Sequence, residues 1–127
     1  MKILVLAIAG GVGTLARYGV DVWVSGWSGR GAFPLATFLV NASGCLLIGA
    51  IAALSGASLS PEWRDAAAVG FCGGYTTFSA YALQSVALAR AGLWGWCALN
   101  VIGSNVVGVA AVWLGAFCAR AGLLSSS

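Results

Sequence analysis

The chain has no histidine and only three carboxylates, Asp21, Glu62 and Asp65, in 127 residues. Those two shortages remove most metal-ligand clusters and most general acid–base chemistry. Charge of either sign is scarce: charged side chains make up 7% of the sequence, against about 25% in a soluble domain. With 61% hydrophobic residues and a mean hydropathy of +0.97, the chain cannot cover a water-facing surface and reads as an integral membrane protein. The net charge is +3, but the six basic residues are scattered singly, which argues against a nucleic-acid footprint. Proline occurs twice, and the four cysteines (Cys45, Cys72, Cys97, Cys118) sit in apolar runs without a CxxC pair. They read as small buried hydrophobes rather than as redox or metal groups.

What is present is apolar sequence in four stretches of bilayer-crossing length, each near the ~20 residues that a spanning helix needs. They cover residues 3–24, 34–54, 66–90 and 93–120, within one transmembrane domain over 1–127. The apolar start resembles a signal peptide in composition, but it runs on past any cleavage point and is better read as the first span. Pro34 suits the first turn of the second helix. Ser60 is placed to cap a short interfacial helix start at Pro61 with acids in its first turn, and Ala91-Gly92 is a tight turn. Alternate connections put Lys2, Arg64 and Arg120 on one side of the membrane and Arg17, Arg30 and Arg90 on or near the other. Three against three leaves orientation unspecified by the positive-inside rule. Either something else orients a single chain, or the chain inserts both ways and pairs antiparallel with itself. Four short helices hardly enclose a pathway alone, which favours the antiparallel dual-topology dimer.

The third stretch carries Gly70-Phe-Cys-Gly-Gly-Tyr-Thr-Thr-Phe-Ser79 at its centre. Paired glycines and paired threonines are poor helix formers, so residues 73–77 are expected to break the helix at mid-membrane. A break there survives only if it is buried in protein or lines a polar cavity. Other intramembrane polar groups are functional candidates because their burial is expensive. Arg17 and Asp21 at i,i+4 form either a structural ion pair or, with Arg17 leading, a cationic vestibule that gathers anions. Gly10 and Gly13 mark a small face for close helix approach. Asn41, with Thr37 a turn earlier, either bonds a neighbouring helix or offers amide donors to a small anion. Phe78 and Tyr81 at i,i+3 are either packing or ring edges turned toward an anion. Asn100, Ser104 and Gly108 form a narrow polar face on the fourth helix, beside a small-residue seam of Gly103, Val107, Ala111 and Gly115.

Taken together, these side chains describe a pathway with hydrogen-bond donors and no titratable group. A proton-coupled exporter requires an embedded carboxylate or histidine, and only Asp21, near a helix end, is available. Neutral donors and ring edges suit a compact anion that accepts strong hydrogen bonds.

The strings Gly73-Gly-Tyr-Thr-Thr-Phe-Ser-Ala-Tyr81, Thr37-Phe-Leu-Val-Asn-Ala-Ser-Gly44 and Gly10-Gly-Val-Gly-Thr-Leu-Ala-Arg-Tyr18 resemble the Fluc (CrcB-type) fluoride channels, in order along all four helices. The resemblance implies a fluoride channel rather than an enzyme: an antiparallel homodimer in the cell inner (plasma) membrane, surrounded by lipid, exporting fluoride passively. It also implies a structural sodium ion at the dimer centre, held by the backbone carbonyls of Gly73 and Thr76. Phe78, Asn41 and Ser104 fall on pore positions and Arg17 on the arginine at the end of the first helix, with Thr37, Tyr81 and Asn100 completing the expected fluoride pathway. Tyr81 stands where the family more often has a second phenylalanine. Asn100 and Gly108 stand where a tyrosine and a hydroxyl residue are common. The rival readings are a small multidrug-type proton-coupled antiporter and a non-transporting membrane subunit.

Overall fold

The computed structural model describes residues 2–29, 31–54 and 59–125, and these are overwhelmingly helical. Arg30 in the first polar loop, residues 55–58 of the second connection, Met1 and the last two serines lie outside the described residues. Helix α1 is Lys2–Ser28 and α2 is Leu35–Leu54. A third helical path, α3, runs over residues 61–75: an α-turn at Pro61–Asp65, π-helix over Ala66–Cys72, and α again at Gly73–Tyr75. After two extended residues, α4 is Phe78–Arg90. Helix α5 begins at Trp94–Ala98, passes through π-helix at Leu99–Gly103 and continues as Ser104–Ser125. Three of these helices (Lys2–Ser28, Leu35–Leu54 and Trp94–Gly122) are long and apolar enough to cross a membrane. The fourth apolar stretch is divided between α3 and α4, neither of which has that length unaided.

The helix break is smaller than the sequence suggests. Gly73 and Gly74 stay helical, with Gly73 at φ −63° and ψ −36°, and only Thr76 (φ −82°, ψ 158°) and Thr77 (φ −148°, ψ 110°) are extended. Gly74 is there for proximity instead: a Cβ on it would enter the Gly10 carbonyl of α1. Gly13 answers from the other side, where a Cβ would collide with the Phe71 carbonyl. The small face foreseen on α1 therefore seats α3, as small residues do when helices pack without a hydrophobic driving force.

The other tight contact joins α2 and α5. Side chains at Gly49 or Gly115 would run into the Val112 and Leu46 carbonyls respectively. Of the expected α5 seam, Gly115 carries this approach, while a Cβ at Gly103 would meet only Leu99 of its own helix. Ser60 occupies the N-cap position before Pro61, but its side chain makes no capping bond. Gly92 ends α4 with φ 74°, and Leu93 N–H donates to the Leu88 carbonyl at 3.0 Å, closing the turn. At the membrane edge Lys2 pairs with Asp65 at 2.8 Å, and Arg64 lies 3.3 Å from the same carboxylate. Very little is deeply buried: Val24, Val40 and Asn100 are the largest fully enclosed side chains, whereas Ile3, Trp113 and Phe117 stand out from the surface. Such an exterior suits lipid or another copy of the chain, not water.

Candidate functional site around the helix break

At the break, side chains take over hydrogen bonds that a continuous helix would have made. Thr77 N–H would close onto the Gly73 carbonyl; instead it donates to Asn41 Oδ1 at 2.9 Å. Asn41 Nδ2 in turn donates to the Thr77 carbonyl at 3.2 Å. One amide from α2 thus pairs with both backbone groups of Thr77, as a neighbouring β-strand would. Thr77 Oγ1 accepts from Ala80 N–H at 3.2 Å and caps α4. Ala80 N–H is thereby drawn from the Thr76 carbonyl. Thr76 Oγ1 donates to the Cys72 carbonyl at 2.8 Å, and Thr14 Oγ1 lies 3.5 Å from the Gly74 carbonyl. The outcome is a break in which the Thr77 and Ala80 N–H groups are taken by side chains and the Gly73 and Thr76 carbonyls are released from helical partners.

Around the break is a hollow of about 340 Å³. It brings together six of the residues singled out in the sequence: Asn41, Gly73, Thr76, Phe78, Tyr81 and Ser104. None of its lining residues is charged. The Phe78 and Tyr81 rings are 5.5 Å apart between centroids and tilted by 45°, and Phe78 is 80% exposed in the single chain. Arg17 and Thr37 lie elsewhere, in a second hollow of about 630 Å³ between α1, α2 and α4 that also holds Asp21 and Gln84. Arg17 and Asp21 do not form an ion pair there; among the described residues the ion pairs are those of Asp65.

Asn100 lines neither hollow. It is 1% exposed, donates from Nδ2 to Ser85 Oγ at 2.9 Å and lies with Oδ1 3.4 Å from Ser104 Oγ. Ser85 Oγ donates to the Tyr81 carbonyl at 2.8 Å, so a chain of polar groups links Tyr81, Ser85, Asn100 and Ser104 through the α4–α5 contact. Gly108 faces Cys45 across the α2–α5 seam, with room for a Cβ at 3.4 Å from the Cys45 sulfur.

Three participants escape a sequence reading. Asn105 lines the break hollow, with Nδ2 3.2 Å from Tyr81 Oη and 2.7 Å from the Val101 carbonyl. The polar face taken along α5 assumed α-helical spacing, which puts Asn105 on another side. Gln84 lines the second hollow, and its Oε1 is buried with no hydrogen-bond partner among the described residues. Tyr75, inside the break motif, is 2.9 Å from Ser43 Oγ and stacks on Phe71, with 5.6 Å between centroids. Since Ser43 Oγ also lies 2.8 Å from the Leu39 carbonyl and donates to it, the tyrosine is the donor in that pair. Asn105 and Gln84 have no sequence signal beyond being amides in apolar runs.

A four-segment helical chain with a discontinuous helix, carbonyls freed at the break and an uncharged hollow beside it has the build of a multi-pass membrane protein. Residues 4–116 match the family model described as CrcB-like protein, Camphor Resistance (CrcB). The chain belongs to that family, whose members are ion channels and not enzymes. It is 46% identical over 123 residues to a protein of Solibacter usitatus named fluoride-specific ion channel FluC, covering 94% of this chain and 99% of that one. Proteins of the same name from Acidobacterium capsulatum (43% identity; 91% and 93% covered) and Rhodospirillum rubrum (40%; 91% and 92%) are similar to it over nearly their whole lengths.

Proposed function

We propose that this chain forms a fluoride-selective channel that lets fluoride leave the cell passively across the inner membrane. The observation that carries the reading is the uncharged hollow at the break, where Asn41, Phe78, Tyr81 and Ser104 meet. Amide, hydroxyl and ring-edge groups hold a small anion without a fixed cation to trap it, as conduction requires. The names of the relatives point to the same ion. A proton-coupled antiporter needs a titratable group on its path; the lining of this hollow is uncharged, and Asp21 is exposed in the other one.

The working unit in this reading is an antiparallel homodimer embedded in lipid, with a structural sodium ion at its centre. The carbonyls of Gly73 and Thr76 fit a hard cation, which prefers oxygen ligands, and the Asn41 and Thr77 bonds leave both without helical partners. Two oxygens from one chain do not complete a cation's shell; a second copy across a two-fold axis doubles the set. When bound, the sodium supplies positive charge to the carbonyl ends of the break. Arg17 then serves as a vestibule cation in the second hollow, with Thr37 beside it.

Purified protein in liposomes, read by a fluoride electrode, tests the function. Fluoride efflux without chloride efflux is expected; absence of both from the reconstituted homodimer refutes it. Prolonged replacement of sodium by a larger cation should abolish efflux, and undiminished transport would remove the sodium ion from the reading.

A further inference from the structure

The geometry points to Asn105 as a positioning residue that locks the Tyr81 hydroxyl as a proton donor to the permeating anion; this rests on reading the break hollow as a fluoride pathway. Asn105 Nδ2 is 2.7 Å from the Val101 carbonyl and 3.2 Å from Tyr81 Oη. A carbonyl oxygen only accepts, so the amide atom beside Val101 is the nitrogen and not the oxygen. That nitrogen only donates, and the tyrosine oxygen next to it is forced to accept. The hydroxyl keeps one proton of its own, for which no acceptor is within hydrogen-bond distance among the described residues. The two side chains come from different helices, α4 and α5, and both line the hollow.

A phenol proton prefers the plane of the ring. With the amide donor on one side of the oxygen, the hydroxyl's own proton turns away from it. A phenylalanine at this position would present only the weakly positive edge of a ring. Tyr81, held in this way, adds an O–H, and a compact anion with a concentrated charge is the ligand that gains most from such a bond. Asn105 needs no contact with the ion: it decides which of its two roles the hydroxyl plays.

The test is a double-mutant cycle on fluoride permeability in liposomes, together with a spectroscopic readout. Tyr81→Phe should lower permeability by about ten- to a hundredfold, the scale of one hydrogen bond to a charged partner. Asn105→Leu should produce a similar loss when Tyr81 is present and little further loss in the Tyr81→Phe background. In parallel, fluoride is titrated into protein carrying ¹³C-labelled tyrosine. The Tyr81 Cζ resonance should move in the unsubstituted protein and stay fixed in Asn105→Leu. Unchanged permeability in Tyr81→Phe, or losses that simply add, overturns the proposal. If no fluoride crosses the membrane but the Tyr81 resonance still responds and is lost in Asn105→Leu, the channel reading falls, and what stands is the Asn105-set hydroxyl as a donor to bound rather than permeating fluoride. If fluoride crosses and that resonance ignores it, the proposal falls and the channel reading stands.

Discussion

Replacing Asn41 by leucine, which is close in volume, removes the one side chain that pairs with both backbone groups of Thr77. Each bond is between neutral groups and is worth about 1 kcal/mol net, but the larger effect is on what is left behind. An unpaired buried donor or acceptor costs about 1–3 kcal/mol. Thr77 and Asn41 are half-buried, so water recovers part of that. The estimate is a loss of about 2–4 kcal/mol, concentrated at the break rather than spread over the helices. Reversible unfolding in mixed micelles measures it, with fluoride efflux normalised to the folded fraction. Asn41→Asp is the informative partner: it keeps an acceptor for Thr77 N–H and sets a second oxygen against the Thr77 carbonyl. It should be at least as destabilising as leucine. Leucine with wild-type stability would refute the latch and leave Asn41 as a residue of the pathway alone.

Phe78→Ile should cut fluoride flux about tenfold or more while the size-exclusion profile stays unchanged, because this ring is exposed in the single chain and contributes little to its packing. Gly74→Val drives a branched side chain into the Gly10 carbonyl and should cost about 1–3 kcal/mol or more, seen as lost monodisperse protein, whereas Gly11→Ala meets open space and should be silent. The Lys2 ammonium bonded to Asp65, aided by Arg64 and opposed by partial burial, holds that carboxyl below its ordinary 3.8. A depressed carboxyl stabilises the fold at pH above its unfolded value and loses that contribution as pH falls through the lower folded one. Stability from this pair should therefore be flat from pH 8 to 5 and decline only in strong acid, and Asp65→Asn should flatten the acid limb of the unfolding curve.

Three of the four expected spans are legible in the sequence because apolar run length reports them directly, while the fourth stretch is divided between α3 and α4. The position of the break is legible too, from Gly73-Gly74 and Thr76-Thr77, but its extent is not. Glycine's low helix propensity is a statement about an isolated chain; beside the Gly10 backbone the same residue is what lets two helices touch. Helical spacing relates Phe78 to Tyr81, but the grouping of Asn41, Phe78, Tyr81 and Ser104 from three helices at one hollow was implied only by the family resemblance. Asn105 was not legible, because its position depends on a π-turn that no residue type announces. Nor was the division of Arg17 and Thr37 from the other candidates, since it depends on which side of α2 each helix takes.

That π-turn has a consequence for the register between helices. Tyr81 and Ser85 are one α-turn apart on α4, and their partners on α5, Asn105 and Asn100, are five residues apart. In a regular α-helix five residues subtend about 140° off the starting side, so the two amides would diverge. Bonding i to i+5 over Leu99–Gly103 closes the turn one residue later and brings them back toward one face. The two helices work like scales of unequal division that coincide at two marks. Deleting one residue from this stretch would turn the π-turn into an ordinary α-turn and keep the two amides on one face, whereas drawing the undeleted sequence as regular α-helix would carry Asn105 and everything after it out of phase with Asn100.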